Sequence, residues 1–277
     1  MGIVHFAKMV DLTDKDYYSS YGEYMSVSLL KRFAANPLGF DEYMENRKEN
    51  EKPTDALVMG QAVHMAVMEG WSEVEREYLI LDERLLLNHR TGKRYGRATK
   101  AFEERCRDAG VSPWRVLTTK DAQDILTLMD ACMDDPDAFQ AINDCTHIEW
   151  ALRGELNGVK FQGKMDGANQ YGLIVDLKTM RPDSTPLEQI VNYKYLWQAW
   201  CYMNLYAAAM QVSPDSVDFK FVFVTKEESP KVTVVDVREH YGSALEVAGQ
   251  QVLSALTALK VSESRGDRRA AFMFLEE

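Results

Sequence analysis

The chain has 277 residues, enough for one large domain or for a domain with an appended helical part. Hydrophobic residues make up 46% and charged residues 27%, an ordinary globular balance, and no apolar run is long enough to predict a membrane-spanning helix. The 43 acidic residues outnumber the 32 basic ones for a net charge of −11, which argues against a protein that meets nucleic acid over its whole surface.

The first residues, MGIVHFAKMVDLTDKDYY, lack the long apolar core of a signal peptide, and Phe6 stands where N-myristoylation needs Ser or Thr. A cytoplasmic protein is expected. Next, SVSLLKRFAANP predicts a helix with Ser26 or Ser28 as N-cap and Pro37 as its stop. DALVMGQAVHMAVMEG predicts a second, from about Asp55 to Glu69 and closed by Gly70. Gly60 in it suggests a close backbone approach. Between Arg84 and Arg107 lie eight basic residues (Arg84, Arg90, Lys93, Arg94, Arg97, Lys100, Arg105 and Arg107) against only Glu103 and Glu104. A basic arm on an acidic body suits DNA held in a channel, with Arg90, Lys93, Arg94 and Arg97 as candidate phosphate contacts. It equally suits a solvated loop and helix face. Helices are expected from about Ala98 to Ala109 and from Thr119 to Met133.

The pattern then changes to short apolar or alternating runs broken by turns. Three strands are expected at about 147–155, 158–166 and 172–179, the first two joined by an Asn157-Gly158 hairpin turn. A long helix from about Pro186 to Met210, strands at Ser216–Thr225 and Lys231–Val237, and a closing helix from about Arg238 to Lys260 complete an α/β layout with a mixed sheet. Cys106, Cys132, Cys145 and Cys201 lie far apart without CxxC spacing, so reduced, buried thiols are expected rather than a metal or iron–sulfur cluster.

The chemistry concentrates in GKMDGANQYGLIVDLKTM. Asp176 and Lys178 are two apart on one strand and share a face, and Asp166, near the end of the preceding strand, is expected to reach that face. Hard oxygen ligands suit Mg²⁺, which keeps several waters: two carboxylates, the Leu177 backbone carbonyl and a substrate phosphate would serve. Lys178 is placed to orient a water or neutralise developing charge. His64, mid-helix, is a candidate ligand or supporting group, though a packed histidine fits the same spacing. Gln198 and Tyr202 share a face of the long helix, among Tyr193, Tyr195, Trp197 and Trp200, most of which read as core.

In order, GxxxH, D–x9–D–x–K and QxxxY resemble the PD-(D/E)xK nuclease superfamily, and within it the RecB-type nucleases and the exonuclease VIII, or RecE-type, proteins of phage and prophage. The likeness runs from about Asp14 to Lys260, including YYSSYGEYMSVSLLKRFAANP and the basic RTGKRYGRATKAFEE. It implies a restriction-endonuclease-like core at 145–260 behind a mainly helical part at 1–140, the whole forming one nuclease domain. It also implies metal-dependent DNA hydrolysis with Mg²⁺ or Mn²⁺. Asp166, Asp176 and His64 match its ligand positions, Lys178 its catalytic lysine, and Gln198 and Tyr202 its helical motif. Further implications are 5′-to-3′ digestion of linear duplex ends, a ring-shaped homo-oligomer with a basic lumen, an annealing-protein partner in recombination, and a bacterial or phage-infected host cell. The chain departs from the family in carrying Asp176 where many members have Glu, and in lacking a GxxxxGK[ST] loop and with it an ATP motor. A structure-specific endonuclease and a catalytically idle DNA-end-binding protein are the competing readings.

Overall fold

The computed structural model describes residues 3–50, 53–88 and 90–275. Its centre is a six-stranded mixed sheet in the order β1-β4-β5-β6-β7-β8, formed by β1 (Val4–Val10), β4 (His147–Leu156), β5 (Val159–Ala168), β6 (Leu173–Met180), β7 (Asp218–Thr225) and β8 (Val232–Asp236). All neighbours run antiparallel except β6 and β7, which are parallel and joined by a helical crossover. A separate parallel pair, β2 (Leu79–Leu81) and β3 (Val116–Thr118), lies apart from it.

The expected hairpin forms. Asn157 and Gly158 both take positive φ, 48° and 77°, the geometry a two-residue turn needs to match strand twist. It fixes the β4–β5 register, with Leu156 opposite Val159. β1 was not foreseen. It pairs with β4 along most of its length, although about 140 residues separate the two in the chain.

Helices cover both faces of the sheet. On one side lie α2 (Val27–Ala35), α10 (Tyr195–Met210) and α11 (Val237–Arg265), over a core that includes Phe161, Phe219, Phe221, Phe223 and Tyr206. On the other lie α4 (Asp55–Met68), α7 (Thr119–Asp134) and α8 (Pro136–Asn143), packed on Val175, Leu177, Val222 and Val224. The alternation along β7 sends its phenylalanines to the first layer and its valines to the second. Smaller helices complete the chain: α1 (Asp14–Ser19), α3 (Phe40–Asn50), α5 (Trp71–Glu77), α6 (Lys100–Asp108), α9 (Pro186–Asn192) and α12 (Phe272–Leu275).

Side-chain caps set the helix starts. Ser26, Thr54, Thr99 and Thr118 each accept a backbone N–H of the first turn, and Thr118 with Asp121 completes a reciprocal capping box. The helix expected over 186–210 is two helices. Lys194 between them adopts a left-handed conformation, φ 49° and ψ 48°, which turns α10 away from α9. Among the described residues no helix is long and apolar enough to cross a membrane. Cys106, Cys132 and Cys201 are buried, and all four cysteines are free thiols.

Candidate active site

The site lies where the sheet comes apart. β5 and β6 pair only through Gly167–Val175 and Ala168–Ile174, then diverge. In the gap the Leu177 N–H turns to the Asp166 carboxylate, donating to Oδ2 at 2.8 Å. A strand residue points its N–H and C=O to the same side, so the Leu177 carbonyl faces the same gap. The side chain of Asp166 thus replaces a lost ladder partner and holds the opening.

Asp166 and Asp176 do not share a face as expected; they meet across the gap from opposite layers. Asp166 faces α4, where His64 Nδ1 lies 3.2 Å from its Oδ2. Asp176 faces α10: the Gln198 side-chain amide donates to its Oδ2, and the Lys178 ammonium lies against its Oδ1. The structure therefore brings His64, Asp166, Asp176, Lys178 and Gln198 into one cluster.

The two acids differ electrostatically. Asp176 is only 1% exposed, and that burial lifts its pKa to about 6; Lys178 opposes the rise and the nearby Asp166 charge adds to it. Burial also pushes Asp166 upward, but the imidazole of His64, the Lys178 ammonium and the Leu177 N–H outweigh it and hold the carboxyl below its usual range. For His64 and Lys178, burial disfavours the charged forms, yet the carboxylates beside them more than compensate and raise both values. One acid is thus held as an anion, while the other sits near its titration point.

The family model described as a PDDEXK-like domain of unknown function, DUF3799, matches residues 26–267. The chain belongs to this PDDEXK-like family. The crystal structure of a protein named "putative exonuclease" from Eubacterium rectale shares the fold, with a TM-score of 0.59 and 18% identity, over 89% of this chain and 86% of that one. No curated protein matches the sequence.

PDDEXK nucleases use divalent metals, and the donor set here fits one. Asp166 and Asp176 supply hard oxygens, and the Leu177 carbonyl faces the same gap. Asp176 Oδ1 is fully buried and is met by the Lys178 ammonium, so positive charge is stabilised at that oxygen. Among the described residues no group of three or more His, Cys, Asp or Glu side chains is placed to hold a metal ion.

The PDDEXK-like cluster opens into a cleft of about 1140 Å³, lined among others by Lys31, Gly60, His64, Glu149, Lys164, Asp166, Tyr195, Gln198 and Tyr202. The Tyr202 hydroxyl accepts the Lys164 N–H at 3.3 Å, and its ring packs where a Cβ on Gly163 would overlap it, so Tyr202 positions β5. Gly60 does not permit a close backbone approach, as its sequence suggested. A side chain there would meet nothing within 4 Å and would project toward the cleft.

Two groups escaped the sequence reading. Glu149 pairs with Lys164 on β5, lines the cleft, and has a strained φ of 53°. The signal was present: counting back in step from the Asn157-Gly158 turn sets Glu149 opposite Asp166. Burial raises the Glu149 carboxyl, and the Asp166 charge reinforces it. The second group is Lys31 on α2, whose amine donates to the Tyr193 carbonyl at 2.6 Å and whose burial lowers its pKa to about 8.

The basic arm requires correction. Arg97 is 4% exposed; it bonds Asp55 at 2.8 Å and the Pro113 carbonyl at 3.0 Å, which commits its guanidinium to structure. Arg94 pairs with Asp55 and Asp121. Arg90 and Lys93 are exposed, but none of the four lines the cleft. Cleft-lining cations come instead from Lys31, Arg76, Arg115 and Lys164.

Proposed function

We propose that this protein is a metal-dependent DNA exonuclease that hydrolyses phosphodiesters of linear duplex with Mg²⁺, and with Mn²⁺ in its place, the chain acting as a single catalytic unit. The observation that carries this is the meeting of Asp166, Asp176 and Lys178 at a gap between strands, beside an open cleft that Asp166 lines. A structural ion pair needs no such gap, and neither does a passive DNA-binding surface.

Asp166, Asp176 and the Leu177 carbonyl would hold the cation, His64 would fix the Asp166 carboxylate, and Gln198 would fix that of Asp176. When bound, a divalent cation lowers the pKa of water and stabilises negative charge on a phosphate. The Lys178 ammonium, kept protonated by the acids around it, neutralises charge that develops on the scissile phosphate. Asp176 and most of the Lys178 side chain are buried, which strengthens the interactions they make.

The finer features come from the sequence resemblance: 5′-to-3′ polarity, a ring of identical copies with duplex DNA in its lumen, and an annealing protein acting on the product. One assay separates the readings. Linear duplex labelled at either the 5′ or the 3′ end is incubated with and without Mg²⁺, beside a covalently closed circle. Metal-dependent loss of the 5′ label with an intact circle is the expected result. Nicking of the circle would instead make the protein an endonuclease, and binding of linear DNA with no cleavage under any metal would make it an end-binding protein.

A further inference from the structure

The cleft rim carries an aromatic column that phosphodiester hydrolysis by itself does not require. Tyr195, half-buried, lies against Phe221 and Phe223 of β7, with ring centres 5.6 and 6.3 Å apart. Tyr193 stacks on Tyr195 at 5.6 Å with 22° between the planes. The sequence read most of the aromatics in this segment as core, but Tyr193 is 55% exposed, and it and Tyr195 line the cleft.

The backbone is bent to make this stack. In a continuous helix, side chains two residues apart diverge by about 200° and cannot stack. The left-handed Lys194 breaks the helix between them and lets the rings lie face to face. A lysine with positive φ is strained, and neither Gly nor Asn has relieved it.

Ammonium groups surround the column. Lys178 Nζ lies 4.9 Å from the centre of the Tyr195 ring, and Lys31 Nζ lies 5.5 Å from it. Lys31 also donates to the Tyr193 carbonyl, and Lys194 Nζ sits over Trp197 at 4.5 Å. A nucleotide combines a flat aromatic face with an anionic phosphate, and this rim offers the complement of both.

We propose that Tyr193 is a stacking platform for an unpaired nucleobase at the DNA end, adjacent to the phosphate held at Lys178. The proposal rests on the nuclease reading above. Tyr195 backs the platform and ties it to the sheet that carries the acids, so a base stacked on Tyr193 sets the register of the strand entering the site. Every base has a π-face, so the platform favours frayed or mismatched ends without reading sequence.

The test uses a duplex whose unpaired terminal position holds a fluorescent purine analogue that stacking quenches, with Ca²⁺ replacing Mg²⁺ so that the end survives. Wild-type protein should quench the analogue on binding. Tyr193→Ala should leave it bright and bind the frayed end about tenfold more weakly. Tyr193→Phe and Tyr193→Trp should restore both, with thermal midpoints unchanged throughout. An analogue that stays bright on bound wild-type protein, equal quenching by Tyr193→Ala, or no rescue by Phe and Trp would overturn the platform. Cleavage of labelled linear duplex in Mg²⁺ is scored in parallel. If wild-type protein neither binds nor degrades DNA, the nuclease reading fails first and takes the platform with it; if it degrades DNA with the analogue bright, only the platform falls.

Discussion

The gap between β5 and β6 and the basic arm at 84–107 both drew attention as charged sequence, and their fates differ. In the gap, charges converge: Asp166, Asp176, Lys178 and His64 lie together, and a buried oxygen of Asp176 meets the Lys178 ammonium. In the arm, part of the charge is absorbed: Arg84 pairs with Asp82, Arg94 and Arg97 pair with Asp55 and Asp121, and Arg105 donates to the Leu85 carbonyl, while Arg90 and Lys93 stay exposed away from the cleft. Charge density along a chain does not show what a charge faces. Spacing on a paired strand does, because the pleat and the register fix where each side chain points.

Substitution in the two regions should break different properties. Asp166→Ala or Asp176→Ala should lower cleavage on the order of a thousandfold, since charge stabilisation by a bound metal is worth several kcal/mol. DNA binding in Ca²⁺ should largely survive. Turnover unchanged in either variant would move the site elsewhere. Arg97→Ala should act on stability instead, costing about 2 kcal/mol as Asp55 and the Pro113 carbonyl lose a buried guanidinium donor, and chemical denaturation would measure it. If Arg97→Ala kept its stability and lost only DNA affinity, the arm would be a nucleic-acid track after all.

A proton should compete with the metal in the gap. Because the Asp176 pKa is raised in the fold to about 6, the fold favours its protonated form, and that contribution to stability is lost as pH rises through about 6. Binding of Mg²⁺ must displace the same proton. The thermal shift produced by Mg²⁺ should therefore be a few degrees at pH 8 and shrink below pH 6. A shift independent of pH would show that Asp176 is not a ligand. The smallest effect concerns Lys31. With its value lowered to about 8, its charge fades above that pH, so DNA affinity should fall severalfold between pH 7 and pH 9. Lys31→Arg should flatten the profile, because guanidinium stays charged. A profile unaltered in Lys31→Arg would place the titrating group elsewhere.

Much of the architecture was legible because its signals are local. The Asn157-Gly158 turn, the apolar run of β6 and the Ser26 cap each act within a few residues. Less legible features depend on distant partners or on strain. β1 becomes a strand by adding to β4 from far along the chain, and VHFAKMV gives no strong alternation of its own. The break at Lys194 lacks the usual Gly, Asn or Pro marker, because the stacked tyrosines and the α10 packing, not local preference, hold it. Spacing alone also left Asp166 on the wrong layer, since the strands separate beyond Gly167 and Val175. Arg97 looked like a surface cation until Asp55, more than forty residues earlier, came to meet it.

Diffraction from crystals soaked in Mn²⁺, recorded for its anomalous signal, tests most directly whether the gap is a metal site. A peak bonded to carboxylate oxygens of both Asp166 and Asp176, with the Leu177 carbonyl beside it, and absent from Asp166→Ala crystals, is the predicted result. A gap without signal while Mn²⁺ supports cleavage in solution, or a peak at another set of ligands, would contradict it.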